Sequence, residues 1–258
     1  MRTRAFEQDD AHVFCREEHV QDEVARFIGL LSAVYAELGF PEHDVALSTR
    51  PAMRAGSDAL WDWAEAKLGE AARQCGIAYE VQPGEGAFYG PKLEFALRDR
   101  LGRSGQCGTS QLDCVLPGRR GAAHVAPDGG RAVPLMIHHA VLGSLGRFIA
   151  ILLEQHGGAL PFRLAPEQVA VAPIARDQAG YAAELRAVFE EAGLRAVSYD
   201  GSETLSRRIV AAREAGVPVM AIVGKREQEE RRVSLRERDG TQSVTSLAEA
   251  VAALSARR

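Results

Sequence analysis

Downstream of Gly157-Gly158 and Pro161 the hydrophobic pattern changes period, and that change sets the architecture. Short apolar runs at Gln168–Pro173, Leu194–Tyr199 and Val217–Val223 alternate with longer amphipathic stretches. Those stretches are Asp177–Ala192, ended by Gly193, and Glu203–Ala215. Arg232–Glu237 alternates as a further strand, and Ser246–Ala256 closes the chain as a helix. Strands separated by helices of this length predict a small α/β domain with a largely parallel sheet. The boundary falls at 158–165.

The first part follows other rules. Val20, Val24, Phe27, Ile28, Leu31, Val34 and Leu38 recur at spacings of three and four, one face of a helix, with Gly39 placed as its C-terminal cap. A second helix is expected from Ser57 to about Cys75. Leu93–Arg98 alternates as a half-buried strand, Pro117–Arg131 reads as a loop or hairpin tip, and Val141–Leu153 as a buried helix. No apolar run reaches the roughly 18 residues of a membrane span, and the opening MRTRAFEQDDAH has no signal-peptide core. Four cysteines without CxxC spacing offer neither a zinc ribbon nor a disulfide framework. These features point to the cytoplasm. A net charge of −4 excludes a globally basic nucleic-acid coat. Arg207-Arg208, Lys225-Arg226 and Arg231–Arg238 are candidate local patches, although charge alone reads them as solvated surface.

Four segments carry clustered polar residues in apolar surroundings. In the first, Gln8, Asp10 and His12 share one face of an extended chain. Carboxylate and imidazole together suit a metal or a polar substrate, or simply an exposed loop. The second, Gly84–Lys92, combines three glycines with Tyr89 and Lys92, either a ligand-approaching backbone or an ordinary hairpin approach. In the third, Gln106, Gly108 and Ser110 are expected to face one way, and Cys107, Thr109 and Gln111 the other. Glutamines inside a strand need hydrogen-bond partners, from a ligand or from a core network. The fourth, Met136–Phe148, ends a strand with His138, either a ligand or a core histidine bonded to backbone, before an apolar helix bearing Arg147, whose charge calls for an anion such as a phosphate.

Taken in order, these segments resemble the second half of the class II aminoacyl-tRNA synthetase catalytic domain in its threonyl form. MRTRAFEQDDAHVFC is similar to the second strand of motif 2, GEGAFYGPKLEF and QCGTSQLD to central sheet segments, and MIHHAVLGSLGRF to motif 3. LSTRPAMRAGSDALWDWAE matches the linking segment, and residues 165–258 resemble the anticodon-binding domain. The resemblance implies an incomplete antiparallel sheet with helices over 1–160, then an α/β anticodon-binding domain over 165–258. It implies a threonine–tRNA ligase, using ATP with magnesium, threonine and tRNA(Thr), and a homodimer in the complete enzyme. By the same resemblance Arg2, Lys92 and Arg147 serve catalysis, with Arg2 at the adenylate and Arg147 facing the ATP tail. Asp10 accepts the substrate hydroxyl, Tyr89 lies near its amine, and Gln8, Gln106, Thr109, Gln111 and Ser144 bind substrate. His12 and His138 occupy two of three zinc positions, and zinc holding both amine and hydroxyl would reject valine. Arg236 is the tRNA contact.

Several positions depart from the family pattern. The third zinc ligand, a cysteine upstream of motif 2, has no counterpart, so the zinc site is expected to be incomplete. Motif 1, the first strand of motif 2 and the editing region have none either. Gly146 stands where motif 3 carries glutamate, His139 where arginine is commoner, and Glu237 and Asp239 where basic residues are expected. The expected explanations, in order, are a fragment or misplaced start, a split half needing an N-terminal partner chain, or a paralogue that binds tRNA or amino acid without charging. Without the first strand of motif 2, Arg2–Phe6 is expected to be an unpaired edge strand that associates unless a partner supplies the missing part.

Overall fold

The computed structural model describes residues 4–200 and 203–257, so Arg2 lies outside the described residues. The chain divides into two units, Met1–Gln155 and His156–Arg258.

The first unit is built on a six-stranded sheet. Its strands are β1 (Ala11–Cys15), β2 (Asp44–Ser48), β3 (Glu80–Gln82), β4 (Lys92–Arg98), β5 (Ser104–Asp113) and, after the small hairpin β6 (His124–Val125) and β7 (Arg131–Ala132), β8 (Leu135–Ala140). Their spatial order is β1-β8-β5-β4-β2-β3, antiparallel throughout except for the β2–β3 pair. Helices α1 (Val20–Glu37) and α2 (Asp58–Gln74) cover one face, α3 (Leu116–Arg119) is a single turn, and α4 (Leu145–Gln155) ends the unit. The α1 spacing buries Val20, Val24, Phe27, Ile28, Leu31 and Tyr35 against the sheet, with Phe27 edge to face on Phe95 of β4 at 6.1 Å and Leu31 and Tyr35 over Gly108 of β5. Gly39, at φ +93°, leaves α1 in the left-handed conformation expected of a C-terminal cap. Ser57 caps α2, its hydroxyl accepting from the Leu60 N–H at 3.3 Å.

Three expectations change here. The edge strand is Ala11–Cys15, whereas Ala5 to Glu7 are irregular. The helix expected from Val141 begins at Leu145, because Asp9 takes up the N–H groups of Val141 and Leu142 at 2.5 and 3.0 Å and holds them in a turn. Gly143 completes that turn at φ +64°, where a Cβ would collide with the Cys107 carbonyl oxygen. Finally, α4 buries Phe148, Ile151 and Leu152 but exposes Ile149, so it is amphipathic.

The second unit is a five-stranded sheet in the order β10-β9-β11-β12-β13. The strands are β9 (Val169–Pro173), β10 (Ala196–Ser198), β11 (Val219–Val223), β12 (Arg232–Glu237) and β13 (Gln242–Ser246). The first three are parallel, and β12 and β13 add an antiparallel pair, so the sheet is mixed rather than largely parallel. The β13 strand was not foreseen: QSVTS has one apolar residue, and its pairing with β12 defines it. Helices α5 (Ala179–Glu191) and α8 (Leu247–Ser255) supply the apolar layer on one face, α6 (Leu205–Glu214) that on the other, and α7 (Lys225–Glu229) links β11 to β12. Arg208 is no surface cation: it is buried and donates to the carbonyls of Pro173 and Tyr199, both at 2.7 Å. The remaining patches are largely neutralised by neighbours, as in Arg207–Glu203, Arg226–Glu230 and Arg231–Glu184.

Below the first sheet, His139 lies buried and stacked on Phe27, ring centroids 4.1 Å apart. Burial, with a smaller contribution from His138, lowers its pKa to about 4. The imidazole is therefore neutral when folded but titrates near 6.5 when unfolded. Stability is fullest above pH 6.5 and declines as pH falls toward 4, by on the order of 3 kcal/mol if the whole shift is realised. Both tryptophans, Trp61 and Trp63, lie in α2, so denaturation followed by tryptophan fluorescence reports this unit. His139→Phe is expected to flatten the decline between pH 6.5 and 4; an unchanged slope would show that other groups cause it.

Candidate active site on the open sheet face

Register places the polar residues in a line. His12 pairs with His138, His138 with Gln111, Gln111 with Lys92, Lys92 with Ser48, and Ser48 with Gln82. Paired residues point to the same side of a sheet, so one polar row crosses all six strands. The neighbouring row on the opposite side, Leu47, Leu93, Ser110 and His139, faces the helices. The polar row therefore occupies the face away from α1 and α2.

At the β1 end three donors converge. One ligand atom each of Asp10, His12 and His138 lies within 4.8 Å of the others. The His12 and His138 rings meet edge to face at 4.6 Å, and Gln8 donates weakly to Asp10 at 3.5 Å. Two imidazoles and a carboxylate form a donor set that suits zinc. The third donor, Asp10, takes the place that the family resemblance gives to a cysteine; the residue pattern allowed it as a metal donor, and the resemblance cast it as a hydroxyl acceptor. The cysteines stand apart from this cluster: burial pushes the Cys107 thiol up to about 11 and the Cys114 thiol up to about 12.

Around the row sit most of the other expected residues. The Tyr89 hydroxyl donates to Gln111 Oε1 at 2.9 Å, and its ring lies 5.8 Å from that of His138. Burial, with the charges of Asp113 and Asp10, raises the Tyr89 pKa, keeping it a neutral donor. Gly90 brings this loop against β5, where a Cβ would overlap the Leu112 carbonyl oxygen. Lys92 is ion-paired with Glu94. Gln8 forms an isolated antiparallel bridge with Ser144, tying the segment before β1 to the turn before α4.

The simple alternation expected along β5 breaks at a bulge. Phe95 pairs with Gly108 but Ala96 pairs with Gln106, leaving Cys107 as the extra residue. Gln106 is thereby brought to the side of Thr109, to which its amide donates at 3.0 Å, instead of facing with Gly108. Arg147 spends one N–H on the Gln106 carbonyl at 3.0 Å and is otherwise exposed on α4, with no carboxylate ion-paired to it among the described residues. Arg236 belongs to the second unit, half-buried on β12 beside a cavity of about 170 Å³ shared with Arg213 and Arg238.

Two residues of the site were missed. Asp9 holds the Val141–Leu142 turn. Asp113, fully buried at the end of β5, accepts from Val115 and Leu116 N–H and faces His138 at 3.2 Å. Burial alone would raise its pKa, but His138 and the two N–H groups outweigh it and hold the carboxyl below its usual range. An aspartate directly before a turn was the available signal.

Residues 1–156 match the family described as the tRNA synthetase class II core domain (G, H, P, S and T), and residues 168–257 match the anticodon binding domain. A threonine–tRNA ligase of Gluconobacter oxydans is 49% identical over 256 residues, 99% of this chain and 40% of that protein. One from Caulobacter vibrioides is 52% identical, over 98% of this chain and 39% of its own length. The chain thus spans about 40% of the length of the curated relatives it matches. The crystal structure of the RNA binding domain of threonyl-tRNA synthetase from Cryptosporidium parvum superposes with a TM-score of 0.91 at 35% identity, covering 98% of this chain and 64% of that one. No helix among the described residues is long and apolar enough to cross a membrane.

The glycines separate close approach from mere flexibility. Gly90→Ala is expected to cost about 3 kcal/mol, at the upper end for overpacking, because its Cβ meets backbone rather than a movable side chain. Gly146→Ala, with nothing within 4 Å, is expected to be neutral or stabilising by up to about 1 kcal/mol. Urea midpoints by tryptophan fluorescence compare them; equal effects would refute the close approach at Gly90.

Proposed function

Since the chain belongs to the class II tRNA synthetase core family (G, H, P, S and T), with an anticodon-binding domain following, we propose that it carries part of a threonine–tRNA ligase. The family acts with ATP and magnesium, and the anticodon-binding domain implies a tRNA partner. The finer assignments are proposals: threonine as the amino acid, tRNA(Thr) as the acceptor, a homodimer in the complete enzyme, and a cytoplasmic setting. The observation that carries the threonine reading is the convergence of Asp10, His12 and His138 at the end of the polar row.

In this reading His12 and His138 hold zinc with Asp10 beside them. Bound there, the ion would supply a Lewis-acidic contact for an amine and a neighbouring hydroxyl. The other residues position the substrate. Asp10 accepts a hydroxyl proton, and Tyr89, oriented by Gln111, fixes the approach of the amine. Gln8, Gln106, Thr109 and Ser144 border the site, and Lys92 adds a cation whose charge Glu94 tempers. Arg147, with one N–H committed to the Gln106 carbonyl, offers its remaining donors to phosphate oxygens. Arg2, outside the described residues, is assigned to the adenylate by its motif 2 position alone. Arg236 serves tRNA in the second unit.

This arrangement discriminates by a required polar group. A site that leaves Asp10 with only its weak Gln8 contact when the ligand lacks a hydroxyl rejects that ligand far better than an apolar pocket would. In thermal shift measurements on the zinc-supplemented chain, threonine should raise the melting temperature and valine should not. His12→Ala should abolish the threonine response. An equal response to valine, or one that survives His12→Ala, would contradict the threonine reading.

A further inference from the structure

The His138 ring has two nitrogens, and only one can face a cation. Its Nε2 lies 3.2 Å from Asp113 Oδ2. Asp113 is itself immobilised: its Oδ1 accepts the Val115 and Leu116 N–H groups at 2.9 and 2.8 Å, and its side chain is 0% exposed. A carboxylate only accepts, so the shared proton sits on Nε2 and the lone pair of the neutral ring is left on Nδ1. The ring plane is confined by its neighbours, the His12 ring at 4.6 Å and the Tyr89 ring at 5.8 Å. A histidine that ligates a metal commonly gives its other N–H to a carboxylate, which fixes tautomer and orientation.

We propose that Asp113 is the positioning residue of this site: it locks His138 in the Nε2–H tautomer and presents Nδ1 to the cation. The metal half rests on the zinc reading above; the tautomer half does not. The division of labour within the carboxylate matters. One oxygen ties down the turn after β5, and the other aims the imidazole, so backbone geometry is transmitted to the site through a single side chain.

The informative substitution is Asp113→Asn. The amide oxygen can keep the Val115 and Leu116 hydrogen bonds, while the amide nitrogen donates and cannot accept from Nε2–H. The His138 tautomer should reverse, placing a proton on Nδ1. Long-range ¹⁵N–¹H spectra of the metal-free, ¹⁵N-histidine-labelled chain read the tautomer directly, with His138→Ala assigning the signal. The wild type should show Nε2–H and Asp113→Asn should show Nδ1–H. Zinc affinity, measured by competition with a chromophoric chelator, should fall about 10- to 100-fold in Asp113→Asn. In a His138→Ala background the same substitution should change it no further. An Nδ1–H signal in the wild type, or unchanged zinc affinity in a folded Asp113→Asn, would overturn the proposal. Should Asp113→Asn fail to fold, the wild-type tautomer still decides. No zinc uptake by the wild type would instead overturn the metal reading, with the tautomer still judging Asp113.

Discussion

Hydrogen-bond register in the six-stranded sheet governs everything that the first unit can do. Side chains alternate across a sheet with period two, so one register fixes both the layer packed on α1 and α2 and the polar row on the open face. A slip of one residue in β8 would turn His138 into the core and bring His139 out. The pairing of β1 with β8 matters most, because it alone brings His12 opposite His138. Those two residues are separated by most of the unit in sequence.

The same register explains why departures from regularity gather around the row. The bulge at Cys107 turns Gln106 to the side of Thr109 and sets its carbonyl under Arg147. Asp9 stops β8 from running directly into α4, opening the turn that Gln8 and Ser144 close. Gly90 and Gly143 sit where backbone meets backbone too closely for a Cβ. Each feature interrupts a regular element beside the polar row, which is where a protein that must hold a ligand tolerates local cost.

Long periodic elements were legible in the sequence. The α1 face from Val20 to Leu31 is strict enough to dictate a helix, and Leu93–Arg98 alternates as β4 does. Short strands were legible where they are apolar and flanked by helices, as β9 and β11 are; DVALS and QSVTS carry too little pattern and form through their partners. The chemistry was legible as segments but not as a row. That Gln8, Asp10 and His12 share a face follows from extended geometry; that they meet His138 does not. Their joint meaning came from the order of motifs, a resemblance rather than a periodicity. Asp113 escaped notice because its role depends on a histidine 25 residues further along the chain.

The central claim is that cross-strand register assembles a cation site from the imidazoles of His12 and His138, with the Asp10 carboxylate beside them. X-ray absorption at the zinc edge of the zinc-loaded chain tests it without relying on activity. The account predicts only nitrogen and oxygen neighbours, near 2.0–2.2 Å as usual for such ligands, with multiple scattering from two imidazole rings. A sulfur neighbour at about 2.3 Å, or no imidazole scattering, would contradict it and place the ion elsewhere on the chain.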